Sequence, residues 1–206
     1  MTIYIGIDLG TTFSAVSTLD DTGRPKIINN PDKNKSPTKN ITSSCVKLDG
    51  DKLIAGHEAR IRYQTGKSDA IGRFKSSMGT KEKFNLGDNN FSASELSSAV
   101  LREMKIVAET QDNIAEAVIT VPANFSHEAR SATMDAAKLA GLNVNHIIDE
   151  PTAAALYYAF KSAENVNGNF AVYDLGGGTF DVSIIKISNE NDVEVIASNG
   201  LHKLGG

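Results

Sequence analysis

The sequence has 206 residues, with 21 Lys and Arg against 25 Asp and Glu, giving a formal charge of −4. That length allows one sizeable core or two modest ones, and that charge argues against a protein built to bind nucleic acid or an anionic membrane. Cys45 is the only cysteine, which excludes an internal disulfide and fits a half-buried small residue on a strand.

The opening "MTIYIGIDLG" has no basic region, and Asp8 interrupts its apolar run. It reads as a first strand and not as a signal peptide. No apolar stretch approaches the ~18 residues needed to cross a bilayer, so a soluble, cytoplasmic protein is expected. Residues 3–9 and 13–19 are rich enough in apolar and β-branched types to pair as a hairpin around Gly10, Thr11 and Thr12. Residues 29–40, "NNPDKNKSPTKN", lack periodicity and are expected to be a surface loop. From "SSCVKLDGDKLIAG" to about Asn90, short strands, turns and a basic helix alternate, as in a small inserted subdomain.

Ser92 and Glu95 then make a capping box, and Leu96, Val100, Met104 and Val107 recur at helical spacing. "AVITVP", residues 117–122, predicts a buried strand stopped by Pro122. Ser126 can cap the next helix, whose Ala129, Ala132, Ala136, Ala137 and Ala140 form a small-residue face before Gly141. Pro151 suits the first turn of a third helix, which puts Glu150 at its amino-terminal end. Strands at 170–175, 180–187 and 193–198 complete an α/β pattern in which two hairpins add antiparallel strands to a mixed sheet.

The two hairpins share a motif. "IDLGTTFSAVS", residues 7–17, and "YDLGGGTFDVS", residues 173–183, both run from an apolar strand through Asp-Leu-Gly and small residues to Thr-Phe and a second strand. This repetition points to an internal duplication. A glycine-rich turn lets backbone N–H groups approach an anion, and threonine hydroxyls add donors. If the hairpins face each other, Asp8 and Asp174 meet as a carboxylate pair suited to hydrated Mg²⁺. Neither copy is a P-loop, since no Gly-Lys-Ser/Thr is present and each turn leads into a strand. The four histidines, 57, 127, 146 and 202, have no metal-ligand spacing.

"IGIDLGTTFSAVS", "VITVPANFSHEARSATMDAAKLAGLNVNHIIDEPTAAALYYAF", "VYDLGGGTFDVSIIKI" and the closing "LGG" together resemble the nucleotide-binding domain of the DnaK-like seventy-kilodalton heat-shock chaperones, in the actin and sugar-kinase ATPase superfamily. The resemblance covers nearly the whole chain, more weakly over residues 29–90. It implies an actin-like, ribonuclease H-like first lobe, with core subdomain 1–30 and 92–163 and an inserted α+β subdomain at 31–91. Residues 164–206 would then begin an incomplete second lobe. The cofactors implied are ATP or ADP, Mg²⁺ and K⁺. Gly10, Thr11, Thr12 and Phe13 would form one phosphate loop, and Gly176, Gly177, Gly178 and Thr179 the other. Asp8 and Asp174 would hold Mg²⁺ through waters. Lys75 falls at the family's catalytic lysine, while Glu150 and Asp174 fall where carboxylates orient the attacking water. Thr179 and Asp181 lie near the γ-phosphate, Asp181 at a position that can also hold K⁺. Pro122 and Arg130 match positions that relay nucleotide state to a peptide-binding part.

The resemblance also implies partners: peptide clients, a J-domain co-chaperone and a nucleotide exchange factor. A full ATPase domain of the family continues well past Gly206, so an adenosine pocket and a peptide-binding domain are expected to be missing here, and ATP binding to be poor. Ser76 and Ser43 stand where the family usually has Arg and Pro, and His146 stands where many members carry an Arg facing the J-domain. A sugar or acid kinase, or an actin-like filament protein of the same superfamily, is the alternative.

Overall fold

The computed structural model describes residues 2–32, 36, 38–162, 166–188, 192–202 and 204. Residues 33–35 and 37 of the Asn- and Lys-rich loop, the expected 163/164 boundary and the closing Gly205-Gly206 lie outside them. The strands are β1 (Thr2–Asp8), β2 (Phe13–Leu19), β3 (Pro25–Ile27), β4 (Thr42–Ser43), β5 (Cys45–Asp49), β6 (Lys52–Ala55), β7 (Ala70–Gly72), β8 (Lys83–Leu86), β9 (Asn89–Ser92), β10 (Asn113–Val121), β11 (His146–Asp149), β12 (Gly168–Leu175), β13 (Thr179–Ile187) and β14 (Val193–His202). The helices are α1 (His57–Gln64), α2 (Ala93–Glu109), α3 (His127–Leu139) and α4 (Glu150–Lys161), with one 3-10 turn at Phe74–Ser77.

The largest sheet has the order β11-β10-β1-β2-β3, with β4 also pairing to β2. β1, β10 and β11 run parallel, and β2 and β3 are antiparallel additions. Alternation decides which side is core. Ile5 and Ile7 of β1 and Ala117, Ile119 and Val121 of β10 are buried, and α2 and α3 supply Leu96, Val100, Met104, Ala129 and Ala136 to the same core. On the opposite face, Asp8 lies level with Thr120 across the parallel pair. The period that buries the isoleucines therefore turns a carboxylate toward the cleft.

The predicted capping box forms in full: Glu95 N–H donates to Ser92 Oγ, and Ser92 N–H donates to Glu95 Oε2 at 2.8 Å. Ser126 caps α3 through the N–H of Ala129. The expected strand at 117–122 begins earlier, at Asn113, because its first residues pair with the start of β1. β3 and β11 lie beyond the expected strands, and both are short additions to an existing ladder. Within the expected surface loop, Asn30 and Ser36 are buried. Asn30 Nδ2 donates to Thr42 Oγ1 and Glu103 Oε1, which ties that loop to α2.

β5, β6 and β7 form a second sheet, β8 and β9 a hairpin, and β12, β13 and β14 a third sheet with its own small core of Ala155, Ile185 and Ile187. Cys45 sits on β5, more deeply buried than expected, and burial pushes its thiol up to about 11. No helix among the described residues is long and apolar enough to cross a membrane.

Candidate functional site

The two glycine turns face each other. A β-carbon added to Gly177 would lie 1.7 Å from Thr12 Oγ1, and one added to Gly178 would lie 2.9 Å from Thr11 Cγ2. Only glycine allows that approach. At Gly10 the added carbon would lie 2.0 Å from the Phe13 carbonyl oxygen, because the first turn closes on its own strand.

Beside these turns is a cleft of about 600 Å³. Asp8, Gly10, Thr11, Thr12 and Phe13 line it from the first hairpin, and Asp174, Gly176, Gly177 and Thr179 from the second. Lys75 enters from the 3-10 turn and Glu150 from the start of α4. Thus 11 expected site residues from four separate stretches meet here, together with Glu150's neighbours on α4, Ala153, Ala154 and Tyr157. Gly178 packs behind the turn, against Thr11. Asp181, opposite Asp174 in the β12–β13 ladder, is buried beside the cleft lining, where its Oδ1 accepts from Asn124 Nδ2 at 2.9 Å.

Lys75 is only 7% exposed, and its Nζ donates to Glu150 Oε1 at 2.7 Å. It also lies 5.8 Å from the Phe125 ring centroid. Burial holds the Glu150 carboxyl above the usual carboxylate range; Lys75 pulls it down, while Asp8 and Asp174 push it up. Asp174 is raised as well, first by burial and then by the charges of Asp8 and Asp181, with Lys75 opposing. Carboxylates that repel across a polar cleft are poised for a cation. Among the described residues, no group of three or more His, Cys, Asp or Glu side chains makes a complete metal cage. A few hard oxygens without a cage suit Mg²⁺, which keeps several waters.

Three neighbours were missed from sequence. Thr120 Oγ1 donates to Asp8 Oδ1 at 3.0 Å, Asn124 holds Asp181, and Arg73 Nη2 donates to the Gly177 carbonyl at 3.3 Å. Thr120 had a readable signal, a polar residue inside a buried strand. Arg73 and Asn124 sit in turns whose direction no periodicity reveals. Arg130 is anchored to Asp149 Oδ1 at 2.6 Å and to the carbonyls of Ala123 and Phe125, so it braces the segment after Pro122.

A mixed sheet flanked by helices, with two hairpins closing on one polar cleft, is the fold of the actin-like ATPases. The chain belongs to the Hsp70 family: the family model described as "Hsp70 protein" matches residues 4–88 and 82–206. It is 43% identical over 204 residues to the chaperone protein DnaK of Mycoplasma mycoides subsp. mycoides SC, covering 98% of this chain and 33% of that protein. The chaperone proteins DnaK of Metamycoplasma hominis and Mycoplasma mobile are each 40% identical over 98% of this chain and 33% and 32% of their own lengths. The chain therefore spans about a third of the length of these curated relatives.

Proposed function

We propose that these residues belong to the ATPase part of a molecular chaperone that couples ATP hydrolysis to binding and release of peptide clients in the cytoplasm. The buried Lys75–Glu150 pair, set in a cleft between two glycine-threonine turns, carries this reading. Phosphoryl transfer to water needs positioning and charge neutralisation more than covalent help. The turn amides and the hydroxyls of Thr11, Thr12 and Thr179 would grip the phosphates, and Lys75 would face the charge that grows on the transferred group. Glu150 and Asp174 would orient the attacking water. Asp8 and Asp174 would hold Mg²⁺ through its waters, and the metal would supply charge neutralisation at the phosphate oxygens. Asp181, already held by Asn124, would complete the γ-phosphate side and hold K⁺ where that ion takes part.

The proposed division is a core subdomain 1–30 and 92–163, an insert 31–91 joined to it where β4 pairs with β2, and the start of a second lobe at 164–206. A J-domain co-chaperone and an exchange factor would act on the whole protein. His146, exposed at the start of β11, would make the J-domain partner a specialised one. Residues 1–206 alone are expected to bind Mg-ATP more weakly than low-micromolar, since the cleft lining is mostly small, hydroxylated or charged.

The test is phosphate release by the protein extended to the relatives' length. Lys75→Met is expected to lower turnover by about 10²–10³-fold, the loss typical of one preorganised charge-stabilising donor, with Mg-ATP still bound. Unchanged turnover would remove Lys75 from the chemistry.

A further inference from the structure

Only two asparagines in the sequence are followed by glycine, Asn167 and Asn199. In that dipeptide the glycine nitrogen can close on the asparagine side-chain carbonyl carbon, because the following residue has no β-carbon to hinder the approach. The two sites share this chemistry. They differ in what the fold does with the attacking nitrogen.

Strand register decides the difference. Gly176 N–H donates to the Thr179 carbonyl at 2.9 Å, and the β12–β13 ladder runs on from there with Asp174 opposite Asp181 and Gly168 opposite Ile187. In an antiparallel ladder, bonded and non-bonded pairs alternate. Counting in twos from Gly176, both Asp174–Asp181 and Gly168–Ile187 are bonded pairs, so the Gly168 N–H is spent on Ile187. Asp181 turns both of its backbone groups toward β12. Its pair with Gly200 on β14 is therefore a non-bonded one, and the Gly200 N–H points away from β13. β14 ends that sheet, and no described strand pairs with its outer side. The Gly200 N–H donates instead to Oδ1 of the exposed Asn199 side chain, at 2.8 Å. A hydrogen bond to Oδ1 holds the nitrogen beside Cγ, the carbon it would attack.

We propose that Asn199 is a site of self-modification, at which the Gly200 nitrogen displaces the side-chain amide. That nitrogen loses its proton and bonds to Asn199 Cγ; the Cγ–Nδ2 bond breaks, and Nδ2 takes up a proton and leaves as ammonia. Water then opens the cyclic imide. Cleavage at Cγ leaves aspartate, whereas cleavage of the original peptide bond leaves isoaspartate, with the main chain routed through the side chain and one carbon longer. The change falls beside the cleft. A β-carbon on Gly200 would lie 1.9 Å from Asp181 Oδ1 and 2.9 Å from Asn124 Nδ2, so this backbone already rests on the pair that holds Asp181. A longer chain just before Gly200 disturbs that pair. Its effect on turnover rests on the ATPase reading; the covalent chemistry does not.

The experiment ages the folded protein at mildly alkaline pH and follows both asparagines by peptide mapping, with mass-spectrometric fragmentation that separates aspartate from isoaspartate. Asn199 is expected to convert at least about fivefold faster than Asn167, the factor that one ladder hydrogen bond at Gly168 is worth. In urea, where neither ladder nor edge exists, the two rates are expected to converge. Conversion of Asn167 as fast as Asn199 in the folded protein, or an Asn199 preference that persists in urea, would overturn the proposal. In the protein extended to the relatives' length, phosphate release is expected to fall in step with isoaspartate at 199, and Asn199→Gln, whose longer side chain closes that ring poorly, is expected to keep it. Equal loss in both would break the link to Asp181. Conversion of Asn199 in a fresh preparation that releases no phosphate would overturn the ATPase reading and leave the modification standing.

Discussion

Asp174 is the side chain on which the charges of the cleft converge. Burial and its neighbours Asp8 and Asp181 raise its carboxyl above the ordinary range, so the folded protein holds that proton more tightly than the unfolded chain. The stability this gives is complete below the unfolded pKa and is lost as pH rises through the folded one. Asp174→Asn is therefore expected to raise Tm at neutral pH by about 1–2 °C, with the gain shrinking toward about pH 4. Added Mg²⁺ should stabilise the parent more than the variant. A thermal melt series over pH, with and without Mg²⁺, checks both; a gain that grows on acidification would contradict the repulsion. The aspartates and glycines of this site were legible in the sequence because the motif is written twice. Lys75 was not: nothing in "RFKSSMG" distinguishes it from a surface lysine except the family resemblance, and its burial depends on where the 3-10 turn points.

Elements whose ends are marked chemically were the readable ones. Ser92 and Ser126 announce α2 and α3, and Pro151 announces α4. The start of β10 and the whole of β11 were hidden, because each exists through pairing with a neighbour and carries little pattern of its own. Gly79 shows a join between elements that no local pattern predicts. It has φ +76°, and a β-carbon there would lie 2.5 Å from the N–H nitrogen of Ala129, in the first turn of α3. Gly23 has the same φ with nothing within 4 Å. Gly23→Ala should cost only the left-handed backbone penalty, about 1 kcal/mol, while Gly79→Ala adds a backbone clash and should cost roughly 3 kcal/mol or more. Urea unfolding of the two variants measures the difference. Equal losses would mean that α3 shifts freely away from the turn.

At the scale of the molecule, burial is uneven. The large sheet with α2 and α3 shares one extensive apolar core, whereas β12, β13 and β14 rest on Ala155, Ile185 and Ile187 with partly buried valines and Phe170 around them. Regions with less buried apolar contact open at lower free energy. Amide hydrogens of β12–β14 are expected to exchange with solvent well before those of β1 and β10. The same protection in both would show a single cooperative unit.

α4 belongs to both parts. Its first residue gives the carboxylate that meets Lys75, and Ala155, further along, is buried in the core of the third sheet. Its 12 residues make a rod about 18 Å long at 1.5 Å per residue. A tilt of about 10° pivoting at Glu150 would carry the far end roughly 3 Å, about one residue's rise along a strand. Anything that resets the ion pair thus works the short arm of a lever whose long arm bears a sheet.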